Sequence, residues 1–341
     1  MGSLSRDYLG TRLAIFASRL IERENLSEWV SLDLEQIINR LQQISGRSFI
    51  LNQPQAPVIQ HQLMSHALED FQILLRSFSA GERRFFYFAI RWFELVNLKV
   101  LIRGKFTATD STMIKKQLVE LGAFADLPLK ALLETEDPYE MLRLLETTAY
   151  AGIVRQARHV FEEQGNDLFL LDATIDRSFF IDLKQRTRFL EPRDAAELQK
   201  VMGTLLDRFN LLWLLRYRFA YGLSPAKSFY LLTAIGSKLY AADLMRLAKM
   251  ETVAEVIDAL PQPLRELLEG IESISDIEIM MEYLVMSVAS ETIQHKHSEV
   301  AQTFAYLLLR EAEVRFCQAL IKGKQLGLED TLIERAIGGR R

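Results

Sequence analysis

An all-α protein built from three similar parts is what this sequence predicts, and three observations carry the prediction. Gly and Pro are scarce, 16 and 8 in 341 residues, too few for a chain full of strand turns, whereas Leu, Ala, Glu, Arg and Lys dominate most segments. Apolar residues recur at intervals of three and four, as one face of a helix requires, and no convincing run alternates with period two. An acid, an apolar stretch and a basic pair follow one another three times: Glu94 to Lys105, Asp207 to Arg218 and Glu313 to Lys324. Aligned on the acid, these copies lie 113 and 106 positions apart, close to one third of the chain. The expectation is three helical domains over residues 1–106, 107–222 and 223–341, arranged to surround or plug an axis. A period near 110 marks a duplicated domain, since solenoid repeats run to roughly 20–50 residues.

The elements follow in order. Leu9, Leu13, Phe16 and Leu20 form one helical face, and Leu34, Ile37, Ile38 and Leu41 the next. The stretch from Arg47 to Gln60, with Pro54 and Pro57, reads as a loop. Ser79 to Glu82, Asp137-Pro138, Ser224-Pro225 and Asp330-Thr331 are helix starts. Behind the three motifs come parallel segments ending at Gly122, Gly236 and Gly338. The first two are followed by short helices, Leu127 to Leu133 then Pro138 to Leu145, and Ala242 to Ala248 then Val253 to Leu260. The counterparts for the third copy are Tyr8 to Leu20 and Ser31 to Leu41, at the other end of the chain. Phe85, Phe86, Tyr87, Phe88, Trp92 and Phe93 place aromatics all round one helix, which predicts burial on most sides.

Composition excludes several function classes. A net charge of −4 and a pI near 5.9 provide no basic field for nucleic acid. The single Cys317 forms no internal disulfide and fits a reducing compartment. Asp7, Arg12 and Arg19 interrupt the apolar core that a secretion signal needs, so export is not expected. The most apolar window, Phe85 to Ile102, is broken by Arg91, Glu94 and Lys99, and no membrane span is expected.

No catalytic constellation emerges, and no cofactor is expected. Gly104-Lys105-Phe106 and Gly323-Lys324-Gln325 lack the upstream Gly and the adjacent hydroxyl of a phosphate-cradling loop, so those glycines read as helix ends. His61 with His66, and His295 with His297, are not spaced to stack two imidazoles on one helix face. Of Asp167, Asp172, Asp176 and Asp182, only Asp172 and Asp176 stand one turn apart, and the set reads as a solvated helix face. Cys317 reads as a small buried hydrophobe. The basic pairs Arg103 with Lys105, Arg216 with Arg218, and Lys322 with Lys324 suit the negative ends of helix dipoles. Their threefold recurrence also makes them candidates for a partner-binding ring of charge. Asn97 and Asn210 recur on otherwise apolar helices, where a buried amide must find partners, either to fix packing or to line a polar opening.

Three stretches then show a family likeness: Tyr8-Leu-Gly-Thr-Arg12-Leu-Ala, Asn210-Leu-Leu-Trp-Leu-Leu-Arg216, and Glu313 through Ile321-Lys322-Gly323-Lys324 to Leu328. With their order, the triplication and the length, the whole chain resembles the C subunit of archaeal and bacterial A/V-type rotary ATPases, itself similar to the d subunit of vacuolar ATPases. It departs from that pattern at Phe316, where the family tends to have Asn, at Gln318, where a basic residue is common, and at Tyr217, which replaces Gly. The resemblance implies a pseudo-threefold funnel without catalytic residues. It further implies a place on the cytoplasmic face of the membrane rotor ring and a socket for the central shaft made by the D and F subunits, transmitting torque for H⁺ or Na⁺ transport. The competing readings are an all-α scaffold unrelated to ion transport and, behind it, a helical enzyme using Asp172 and Asp176.

Overall fold

The computed structural model describes residues 3–49, 56–107, 109–163, 167–295 and 297–338, and every regular element among them is helical. The first six helices are α1 (Ser3–Ala17), α2 (Arg23–Trp29), α3 (Leu34–Ser45), α4 (Ala56–Leu75), α5 (Ala80–Phe106) and α6 (Ser111–Lys115). Next come α7 (Leu129–Glu134), α8 (Pro138–Leu145), α9 (Ala151–Glu163), α10 (Leu168–Arg186), α11 (Pro192–Leu215) and α12 (Pro225–Tyr230). The last are α13 (Ala241–Leu247), α14 (Val253–Asp258), α15 (Leu264–Leu268), α16 (Ile274–Gln294), α17 (Glu299–Gln325) and α18 (Asp330–Ala336). No helix among the described residues is long and apolar enough to cross a membrane.

The caps explain where several helices begin. Asp33 and Gln36 form a reciprocal capping box at α3, and Asp137 and Ser224 accept the N3 amides of α8 and α12, each with Pro inside the first turn. Ser79 and Glu82 exchange bonds in the same way at α5. Asp330 is a different case: Glu329 holds the cap position of α18, and Asp330 instead receives Lys324 at 2.9 Å. The loop expected over Arg47 to Gln60 is partly a helix, since α4 begins at Ala56 and carries Pro57 in its first turn, where no N–H is needed. Pro54 lies outside the described residues.

The chain forms two compact units, each assembled from separated segments. The first draws on Met1–Asn97, Thr112–Ala125 and Thr292–Arg341. Its centre is α17, against which α1, α2, α3, α4 and α18 pack. Tyr306 meets Phe71 at 5.5 Å between ring centroids, and Phe85 meets Phe304 at 5.9 Å. The aromatic run of α5 is interior as expected: Phe85, Phe86, Phe88 and Phe93 are buried, while Tyr87 stays half exposed beside Phe124. Cys317 is buried too, and desolvation pushes its thiol well above the ordinary range.

The second unit comprises Leu98–Ser111 and Asp126–Glu291. Helix α10 lies along α9, and Leu211, Leu214, Leu215 and Tyr217 pack with Leu244, Leu247, Val256, Leu268 and Ile277. Beyond Leu215, α11 widens into a π-helical turn over Arg216–Ala220 that carries both cations of the second motif.

Gly323 does not end a helix. It lies buried inside α17, and a Cβ there would come within 2.6 Å of Ile333, so glycine is what lets α18 close onto α17. The helix-ending residue is Gly327, at φ 64°, with Leu328 donating its N–H back to the Gly323 carbonyl at 3.0 Å.

Candidate functional site

The motif acids are interior groups: Glu94, Asp207 and Glu313 are all buried. In the second unit the Asp207 carboxylate accepts three consecutive backbone N–H groups, from Ser237 at 3.0 Å, Lys238 at 2.8 Å and Leu239 at 2.9 Å. Burial raises its pKa, and the three donors pull the other way. Gly236 makes the approach possible, because a Cβ there would sit 2.1 Å from the Asp207 Oδ1. In the first unit Glu313 accepts the N–H of Ile21 at 3.0 Å and is ion-paired with Arg310. Arg310 also reaches Asp70 at 3.8 Å, and the Tyr306 hydroxyl donates to Asp70 at 2.9 Å. Burial raises Glu313 as well, against the pull of Arg310 and the Ile21 amide. Both Asp207 and Glu313 therefore tie a long helix to a distant stretch of backbone.

The recurring asparagines make a second tie of the same kind. Asn97 grips Val119 through both backbone groups, donating to its carbonyl at 2.8 Å and accepting its N–H at 2.7 Å. Asn210 accepts from the N–H and hydroxyl of Thr233, at 3.1 and 2.8 Å, and donates to the carbonyl of Ile235 at 3.2 Å. Between those two anchors Ala234 is held at φ 51°, a left-handed conformation that an alanine enters at a cost of about 1 kcal/mol. At the third position Phe316 is simply buried.

The six cations divide by role. Lys105 donates to the carbonyls of Leu133 and Thr135, both at 2.6 Å, at the end of α7. Arg218 does the same to Leu223 at 2.7 Å and Met250 at 3.2 Å. These two close loops around short helices, so the orphan carbonyls they satisfy belong to segments other than their own helix. Arg103 pairs with Asp172 while its side chain stays 60% exposed, and Arg216 pairs with Glu278 at 2.7 Å beside the Trp213 ring. Lys324 holds Asp330, and Lys322 is exposed with no side-chain partner among the described residues.

The solvated acidic face expected on α10 requires correction. Asp172 and Asp176 are buried, and Asp176 is ion-paired with Lys99 as Asp172 is with Arg103. Desolvation raises the Asp176 pKa more than Lys99 lowers it. The physical reason is a register match: two acids one turn apart meet two cations one turn apart in reversed order, which brings these stretches of α5 and α10 together antiparallel. Asp167, by contrast, is an exposed cap that accepts the N–H of Phe169 at 2.9 Å. Sequence reasoning overlooked Lys99, whose spacing from Arg103 was the available signal, and Asp70, Tyr306 and Arg310, for which adjacency gave none. No three His, Cys, Asp or Glu side chains among the described residues gather to hold a metal.

Fold and ties together define a class: an all-α protein of long helices, locked to distant backbone by buried acids and amides. The chain belongs to the ATP synthase (C/AC39) subunit family, whose sequence model matches residues 9–336. It is 28% identical to the A-type ATP synthase C subunit from Halorubrum lacusprofundi over 72% of this chain and 71% of the relative. The C subunit from Methanocaldococcus jannaschii is 23% identical over 93% of this chain and 82% of its own. That from Thermococcus kodakarensis is 23% identical over 97% and 90%.

Proposed function

We propose that this chain is a non-catalytic connector of a V/A-type rotary ATPase. It joins the central shaft, made by the D and F subunits, to the membrane rotor ring at its cytoplasmic face, as three similar helical bodies in a pseudo-threefold funnel, and passes torque for ATP-coupled H⁺ or Na⁺ transport. Family membership carries the reading. The ties add physical support, because a torque-bearing body must not let its helices slide. An amide or carboxylate bonded to two or three backbone groups resists sliding better than apolar contact, which is non-directional.

Partner contact is assigned to the exposed Arg103 and Lys322 and the half-buried Arg216, which lie at helix ends. Asn97, Asn210, Lys105, Arg218 and Lys324 hold the surfaces on which those cations stand. The experiment removes the chain from the complex and reads two activities. ATP hydrolysis by the catalytic head should persist while ATP-driven ion transport is lost. Transport at the normal rate without the chain would refute the connector role.

A further inference from the structure

In the second unit, α12, the loop behind it and α13 enclose a groove of about 570 Å³. Its wall is apolar: Phe229, Tyr230 and Met245 contribute, with Tyr230 64% and Met245 48% exposed. Its rim carries two cations, Arg177 and Lys249. Neither has a carboxylate partner among the described residues, whereas Arg216, Arg218 and Arg246 of the same unit are each ion-paired. The Arg177 Nε donates to the Leu232 carbonyl at 2.9 Å and its guanidinium lies 5.8 Å from the Tyr230 ring centre. That fixes the charge at the edge of the apolar wall.

The floor is held rigidly. Arg177 pins Leu232, Asn210 pins Thr233 and Ile235, and Asp207 pins the amides of Ser237, Lys238 and Leu239, so the stretch from 232 to 239 is anchored at every first or second residue. The strained Ala234 lies within it. Backbone strain persists only where the surroundings impose it, and it concentrates at ligand-holding positions. A preformed hollow of this size, apolar inside and charged at its edge, is what a binding site for a protruding side chain looks like.

We propose that this groove docks a segment of another protein subunit that presents a large apolar side chain with an aspartate or glutamate within one helical turn. The apolar side chain fills the hollow between Tyr230 and Met245, and the carboxylate meets Arg177 and Lys249. Charge complementarity selects this occupant on a chain whose net charge is −4. An acidic lipid surface is the poorer match, since its recognition uses clusters of roughly four to eight cations and the groove offers two. That the partner belongs to the ATP synthase rests on the connector reading.

The test places photoreactive p-benzoylphenylalanine at position 230 of the full chain, irradiates the intact membrane complex and maps the product by mass spectrometry. The expected product joins position 230 to a different polypeptide of the complex, at a peptide with an Asp or Glu within four residues of the attachment. Lys249→Glu should lower the yield roughly threefold, as loss and reversal of an exposed pair does, and Met245→Ala roughly tenfold, as for a buried interface anchor. Cross-linking to lipid, to a second copy of this chain or to nothing, in a complex from which the chain still co-purifies, would overturn the groove assignment and leave the connector role standing. A yield unchanged by Lys249→Glu would also overturn it. Failure of the unmodified chain to co-purify with the complex would sink both.

Discussion

Glu313 accepts the backbone N–H of Ile21 at 3.0 Å across 292 positions of sequence, so the end of the chain is bonded to its beginning inside the first unit. The geometry resembles that of Asp207, which reaches a loop 30–32 residues ahead. For the third motif the bonded backbone N–H is supplied by the segment before α2.

Glu313→Ala should be among the most damaging single changes in the chain. It leaves the Ile21 amide unpaired and removes a carboxylate from buried Arg310, and breaking such a pair costs about 3–5 kcal/mol. Equilibrium urea unfolding checks it. A loss below about 1 kcal/mol would mean that the tie between the two ends is dispensable.

The same residue has a pH signature. Burial raises the folded-state pKa of Glu313 above its ordinary value of 4.5, so between those values the folded state holds more protons than the unfolded one. Stability from this group is then fully present below about pH 4.5 and declines as pH rises through the folded pKa. Subtracting the profile of Glu313→Gln, which cannot titrate, isolates the effect. The difference should favour the native protein most at low pH and shrink as pH rises, and a difference that grows with pH would contradict it.

Around Ala234 two substitutions should act in opposite directions. Asn210→Ala leaves the Thr233 N–H and the Ile235 carbonyl without their partner, at a cost of about 2–4 kcal/mol. Ala234→Gly relieves the left-handed alanine and should be neutral or stabilising by up to about 1 kcal/mol. Thermal unfolding of both variants checks the pair, and marked destabilisation by the glycine would count against the strain.

The helical fold was legible because periodicity of three and four is written residue by residue, and burial of the α5 aromatics followed from their distribution all round that helix. The motif spacing also located the residues that grip backbone, Asn97, Asn210, Asp207 and Glu313. What they grip was not legible, since the partner of a buried amide is chosen by tertiary approach and leaves no mark near it. Asp172 and Asp176 show the same limit. An acid pair facing solvent and one facing Lys99 and Arg103 have identical local sequence, and only the matching spacing on α5 separates them. Gly323 was misjudged because a glycine that ends a helix and one that admits Ile333 of another helix look alike beside a Lys.

The central claim is that this chain bridges shaft and ring, and a three-component sedimentation measurement tests it most directly. The shaft made by the D and F subunits, the detergent-solubilised ring and this chain are purified separately and mixed in pairs and together. The account predicts that the shaft sediments with the ring only when the chain is present, and that Arg103→Glu, Arg216→Glu and Lys322→Glu combined weaken the bridge, more at low salt than at high. Shaft and ring sedimenting together without the chain would contradict it.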